Sequence, residues 1–364
     1  MAMLLFIATF LVIYGAINFY CFRLIDKSLE LSKFKRFVLL IFFSIMTISP
    51  IIIGIILRKG YSFFIKEYAW LTYNYLAFVT IIFCVSICLR FLILIFKRKS
   101  KPKKNLKFSA VVALLLCFYG YYEANDIKIE NIELYTDKIS KDYKIAFLSD
   151  LHHGYTVSDE YVNRVITKLK DEKIDLLLLG GDILETGWDN NASLWRNINP
   201  FLGKFAVSGN HEFYLGYEKA KKIFEEMGVT LIDNKSVDVG ELKLIGLPDE
   251  VYVTHYSGKI EDIKKLKMTG SDDKFTILLK HRPRKVEGSL VDLQLSGHTH
   301  KGQILPFSII TKLFYPLHSG LYDIDSKYKI YVSRGIGTWG PRIRIASRPE
   351  ITIVKLKKLN NKWN

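Results

Sequence analysis

KIAFLSDLHHG, residues 144–154, is the stretch of this 364-residue chain that decides how it is read. An apolar run long enough for a strand stops at a carboxylate and two imidazoles, and the same design recurs downstream. IDLLLLGGD (174–182), KFAVSGNHE (204–212), FTILLKH (275–281) and VDLQLSGHTH (291–300) each carry apolar residues up to a cluster of Asp, Asn, Glu or His. In α/β sheets, functional side chains collect where strands end in loops, so remote parts of the chain are expected to meet on one rim. Five of the eight histidines, His152, His211, His281, His298 and His300, belong to these clusters, and His153 follows the first of them directly. The glycines beside them let the backbone turn sharply at the strand end without a clashing β-carbon.

The segments around these runs complete the pattern. Strands are expected at 127–136, 229–233, 329–337 and 351–356, a hairpin over 236–246, and helices near 158–170, 217–227 and 259–267. Strands that first alternate with helices and then pair directly predict a mixed, layered α/β fold with helices packed on a sheet or a pair of sheets. Continuous apolar runs give way to short strands and turn residues near 123–127, so this domain is expected to cover 127–364.

Residues 1–122 read as a membrane domain of about four helices. FVLLIFFSIMTISPIIIGIIL (37–57) carries no charge across 21 positions. At about 1.5 Å per residue it spans the roughly 30 Å hydrocarbon core of a bilayer. Residues 3–22 and 68–89 read the same way, and 108–122 is a shorter run that crosses only with Lys107 and the tyrosines at 119, 121 and 122 at the interfaces. The formal charge of +16 raises the question of nucleic acid, but residues 1–122 hold 16 Lys+Arg against 3 Asp+Glu, and the remainder is nearly balanced. Nucleic-acid binding therefore loses its support, and the basic excess becomes a topology signal. Five basic residues separate the first two spans, three the second and third, and seven the last two. The first and third loops are then cytoplasmic. The soluble domain is expected outside the cytoplasm, at the plasma membrane, if the fourth span crosses.

All four cysteines (Cys21, Cys84, Cys88, Cys117) lie in the apolar spans. The soluble domain thus has no thiolate for nucleophilic attack or metal ligation. Imidazoles and carboxylates without thiolate suit divalent ions such as Mn, Fe or Zn. Two ions about 3.5–4 Å apart need a shared ligand, and a carboxylate bridges with its two oxygens. A lone Gly-Asp is ordinary turn chemistry, and a lone strand-end histidine is more often a hydrogen-bonded surface group. Five such clusters in order, each after an apolar strand, exceed what turn chemistry produces. His153, His255 and His318 lack that context and read as structural, although the position of His153 beside the site makes it a candidate for substrate contact.

The ordered series DLH (150–152), GGD (180–182), GNHE (209–212), KH (280–281) and GHTH (297–300) resembles the calcineurin-like metallophosphoesterases, from about Tyr143 to Leu356. With GHTHKGQ, the tail SRGIGTWGPRIRIASRPEITIVKL (333–356) is similar to their membrane-attached bacterial branch and to animal transmembrane proteins carrying such a domain. The resemblance implies a four-layer fold of two mixed β-sheets flanked by helices, with two divalent ions at the rim. It assigns Asp150, His152 and His300 to one ion, Asp182 to the bridge, and Asn210, His281 and His298 to the other. His211 becomes the acid–base residue near the leaving group. Lys301 stands where the family usually has a small residue, and would steer an anionic substrate or narrow the mouth.

The expected activity is hydrolysis of a phosphodiester or phosphomonoester, such as a lipid headgroup or envelope substrate, by a water activated between the two ions. Two rival readings stay open: a cytoplasmic-facing pyrophosphatase of nucleotide-linked lipid precursors, and a non-catalytic metal-binding membrane receptor. LPFSIITKLFYPLHSGLYDID (305–325) is too apolar for an ordinary surface loop. Either it packs on the sheet edge, or it forms an apolar lid for acyl chains with Phe314 among its contacts.

Overall fold

The computed structural model describes residues 2–59, 63–188, 191–251, 273–286, 290–325 and 327–359. The chain forms two compact units, Met1–Tyr122 with Gly340–Ile343, and Glu123–Trp339 with Arg344–Asn364.

Four apolar helices make up the first unit: α1 (Ala2–Leu29), α2 (Lys33–Lys59), α3 (Phe63–Ile95) and α4 (Pro102–Asn125), the last continuing past Tyr122. All four are long and apolar enough to cross a membrane, and between 17% and 28% of each apolar window is buried inside the protein. So much apolar surface turned outward needs hydrocarbon as its solvent. The 15-residue apolar run expected as the fourth span lies inside a helix of 24 residues, because the flanking polar residues continue the same backbone. Polar side chains of this unit turn toward one another, as a lipid environment requires. Tyr75 donates to Asn18 Oδ1 at 2.6 Å, and Arg36 pairs with Asp26 at 2.9 Å.

Two six-stranded mixed sheets make up the second unit. The first runs β1 (Lys128–Thr136), β12 (Glu350–Lys358), β2 (Tyr143–Leu148), β3 (Leu176–Gly180), β4 (Lys204–Val207), β5 (Thr230–Leu231). The second runs β10 (Gly320–Asp323), β11 (Lys329–Val332), β9 (Leu293–Ser296), β8 (Phe275–Lys280), β7 (Leu242–Leu247), β6 (Lys235–Val239). Strands β2 to β5 are parallel, as are β7, β8, β9 and β11.

Strand alternation builds the core. Ile145 and Phe147 of β2 point between the sheets, against Leu176, Leu178, Ile277 and Leu279. Ala146 and Leu148 point the other way, with Leu177 and Leu179, onto α5 (Asp159–Asp171) and α7 (Tyr217–Glu226) through Val165, Leu169 and Phe224. A strand covered on both faces has no polar side, which is why β3 reads as four leucines in a row. The helix expected near 259–267 and His255 lie outside the described residues.

Three elements differ from the sequence expectation. The backbone turns helical at Asn210, forming α6 (Asn210–Leu215) where KFAVSGNHE reads as strand to its end. Glu212 reaches back to accept from the Gly209 N–H at 2.7 Å, which caps that helix at its start. Strand β10 and helix α8 (Phe307–Phe314) were both absent from the sequence reading of 305–325.

Phe147 is fully buried, and its ring fills the space a β-carbon would need at Gly180. Phe147→Ala is expected to destabilise the second unit by about 3–5 kcal/mol, read as a lowered denaturation midpoint of the full chain in detergent. A loss below about 1 kcal/mol would show that the two sheets are not packed through this ring.

Candidate metal centre

The C-terminal ends of β2, β3 and β4 in one sheet and of β8 and β9 in the other deliver the side chains singled out by their spacing. Asp150, His152 and His300 bring one ligand atom each within 4.8 Å of one another, and so do Asp182, His281 and His298. His152 Nε2 and His300 Nε2 face each other at 3.1 Å, and His298 Nδ1 and His281 Nε2 at 3.2 Å. Asp182 Oδ2 lies 3.1 Å from His281 Nε2, while its Oδ1 accepts the backbone N–H of His211 at 2.9 Å. Asp150 accepts the His298 N–H at 2.9 and 3.0 Å.

Local backbone strain accompanies this convergence. Asp150, His152, Asp182, His298 and His300 all hold φ between 47° and 71°, a region non-glycine residues seldom occupy. Such conformations persist only where the surroundings over-determine them, and they concentrate at functional sites. Glycine is required for close approach at two points: a β-carbon on Gly209 would overlap the Asp182 carboxylate, and one on Gly297 the Asp150 carboxylate.

Charge balance in the metal-free centre is set by burial against pairing. Burial pushes the Asp150 carboxyl up, against the pull of His281. At Asp182 burial acts the same way, but the charges of His281 and His211 outweigh it and hold the group well below the usual carboxylate range. Burial lowers the imidazoles and prevails at His298, where His281 adds to it, and at His300, where His152 adds to it. At His211 and His281, facing carboxylates win against burial. Glu185 and Asp182 raise His211 to about 9, and Asp182 raises His281 to about 10.

These residues fit a pair of divalent cations. The donors are imidazoles, carboxylates and an amide oxygen, with paired ring nitrogens aimed at one another and no thiolate. Among the described residues, Asn210 Oδ1 is buried with no hydrogen-bond partner, an acceptor left over for something positive.

Three residues missing from the sequence reading support the centre. Glu185 Oε2 lies 3.1 Å from His152 Nδ1 and 2.9 Å from His211 Nδ1, the latter off the line of a good hydrogen bond. It therefore orients a candidate ligand and the candidate acid together. The only sequence signal is a Glu three residues after GGD. Arg344, fully buried, donates to the carbonyls of Arg334, Gly335, Gly337 and Ser347, and its Nη2 sits 3.3 Å from His300 Nδ1. Tyr315 OH lies 2.9 Å from His298 Nε2. Of the candidate substrate contacts, His153 stands apart: it is fully buried, 2.8 Å from Asp159 Oδ1, with its ring edge-on to Trp188. Lys301 follows His300 in a short turn, half-buried, and Phe314 is exposed.

Residues 143–302 match the calcineurin-like phosphoesterase family. A Helicobacter pylori protein described as an uncharacterized metallophosphoesterase is 31% identical over 98% of this chain and 100% of its own length. A similarly described protein of Aquifex aeolicus is 31% identical over 69% of this chain and 99% of its own. A zebrafish (Danio rerio) transmembrane protein with metallophosphoesterase domain is 29% identical over 68% of this chain and 62% of its own.

The two raised imidazoles give a pH dependence with a definite sign. A histidine whose folded pKa lies above its ordinary 6.5 stabilises the fold below that value, and loses the contribution as pH climbs through about 9 for His211 and about 10 for His281. The melting temperature of the metal-free protein is expected to fall as pH rises from neutrality through that window, and Glu185→Gln to shift the His211 part of the fall to lower pH. A melting temperature that climbs with pH across the same window would overturn this charge assignment.

Proposed function

The chain belongs to the calcineurin-like metallophosphoesterases, and from that premise we propose that it is a membrane-anchored, dinuclear-metal phosphoesterase acting on a lipid headgroup or other envelope phosphoester. The observation that carries this reading is the convergence of two ligand groups, Asp150/His152/His300 and Asp182/His281/His298, beside His211. Asn210 would complete the second group. Two bound divalent cations, with Mn expected to serve well, would polarise the phosphoryl oxygens and lower the pKa of a water poised for in-line attack.

The protein's own residues do the rest. Asp182 presents one carboxylate oxygen toward the second group and holds the backbone at His211 with the other. Glu212 accepts from the backbone N–H groups of Asp182, Ile183, Leu184 and Gly209, so the bridge and the loop carrying the acid share one anchor. Glu185 faces His211 Nδ1, which leaves Nε2 to carry the proton toward the leaving oxygen. The basic residues concentrated between the first and second, and the third and fourth, helices support placing the second unit outside the cytoplasm of a plasma-membrane protein.

Hydrolysis of an activated aryl phosphodiester by the full chain is expected to require added divalent ion. Asp182→Asn should lower turnover by orders of magnitude through loss of the shared charge. His211→Ala should lower it about 10²–10⁴-fold with bound metal retained by elemental analysis. Full activity after chelation sinks the dinuclear reading, and loss of an ion from the His211 variant makes that residue a ligand instead.

Topology has its own test. With the four native cysteines replaced, a single cysteine at exposed Lys222 is expected to react with a membrane-impermeant maleimide in intact cells. Labelling only after lysis would place the unit in the cytoplasm.

A further inference from the structure

Helix α8 inverts the ordinary surface pattern. Ser308, Thr311 and Tyr315, spaced three and four apart, form its shielded side, while Phe307, Ile309, Ile310, Leu313 and Phe314 are exposed, the last two at 78% and 76%. No residue of the helix is buried. Exposed Leu305 and Leu321 flank it in sequence. A contiguous apolar face of this kind is rare on a surface that meets only water.

Three observations select the occupant. Residues 293–322 contain no Asp or Glu, whereas Lys312 lies on the helix and Lys301 in the turn packed against it. That pairing of apolar face and basic residues suits an anionic lipid surface. The chain already carries four helices whose outward apolar surface requires a bilayer, and α4 ends at Asn125, only two residues before β1 begins. The helix also ends on the metal centre. Tyr315, its C-terminal cap, meets His298 Nε2 at 2.9 Å and accepts from Arg282 Nη1 at 3.3 Å, and Arg282 is in turn paired with Asp249 at 2.7 Å.

We propose that Phe307–Phe314 is an interfacial helix that docks the phosphoesterase unit onto the surface of a phospholipid bilayer, with Tyr315 joining the docked helix to the candidate ligand His298. A headgroup phosphodiester then reaches the rim while the acyl chains stay with the lipid phase that the helix enters. This deepens the phosphoesterase reading and rests on it for the substrate, but not for the docking.

The full chain is tested with Cys21, Cys84, Cys88 and Cys117 replaced by alanine and Leu313→Cys labelled with an environment-sensitive fluorophore, in vesicles of equal parts phosphatidylcholine and phosphatidylglycerol. Lipids bearing a nitroxide near the headgroup are expected to quench this label by at least about twofold and to leave a label at Lys222→Cys unchanged. In parallel, Ile309→Ser with Leu313→Ser, in manganese-loaded protein, is expected to slow hydrolysis of long-chain phosphatidylglycerol about tenfold or more without affecting a soluble aryl diester or the melting temperature. Absence of quenching overturns the docking, and a label shielded instead by self-association identifies a second copy as the occupant. Equal loss on both substrates with a lowered melting temperature shows the face to be structural. Quenching without hydrolysis of any phosphodiester leaves the docking standing and removes the phosphoesterase reading.

Discussion

Asp182 ties three strand ends together. Its carboxylate meets His281 from β8 at 3.1 Å and the backbone N–H of His211, at the start of α6, at 2.9 Å. Its own backbone N–H is held by Glu212 at 2.9 Å. One side chain at the tip of β3 therefore joins the first sheet to the second and fixes the loop after β4. The geometry is possible because Gly209 leaves the carboxylate its space and because the backbone at Asp182 accepts φ of 52°. Any rearrangement there displaces candidate ligands contributed from both sheets, which couples the rim's loops to one another.

Burying this many ionisable groups is costly unless each charge is met. Without metal, the centre meets its carboxylates with protons, holding His211 and His281 charged by pairing and leaving His298 and His300 neutral by burial. The division follows the balance between burial and neighbouring charge: Glu185 and Asp182 outweigh burial at His211 and His281, whereas burial, reinforced by His281 at His298 and by His152 and Arg344 at His300, prevails at the other pair. Divalent cations would exchange with those protons. The same wiring explains the second layer, where Glu185 serves two histidines and Arg344, spread over four carbonyls, supports the backbone around His300.

The fold was legible in the sequence wherever burial imposes a period. The runs ending at Asp150, Asp182, Asn210, His281 and His298 become β2, β3, β4, β8 and β9, because strands packed on both faces must be continuously apolar. The amphipathic spacing of 158–170 becomes α5 within one residue at each end. What escaped was whatever depends on a single tertiary contact. Helix α6 is set by one carboxylate reaching back to Gly209, and no window of hydropathy contains that information. Glu185, Arg344 and Tyr315 escape for a related reason: each acts through a histidine between 17 and 44 positions away, and a lone Glu, Arg or Tyr carries no spacing signal. The candidate ligands were recoverable because five clusters repeat one design; their supporting shell repeats nothing.

Helices α5 and α8 show how the same physics gives opposite surfaces. Both are amphipathic, and α5 turns Tyr161, Val162, Val165, Ile166 and Leu169 into the core against the first sheet, leaving its charges in water. Helix α8 turns Ser308, Thr311 and Tyr315 inward and leaves its aliphatic and aromatic side chains out. Nothing in helix propensity distinguishes the two, since each direction keeps the backbone satisfied and differs only in which solvent meets the apolar face. Water is a poor solvent for that face of α8, and the chain's four apolar helices show that water is not the only solvent it meets. The helix is held to the domain by Tyr315 at its end, and its Ser308 backbone lies close against the turn at Gly302. It is thereby anchored through the contacts that lipid cannot replace, with its apolar side left free for the ones lipid can supply.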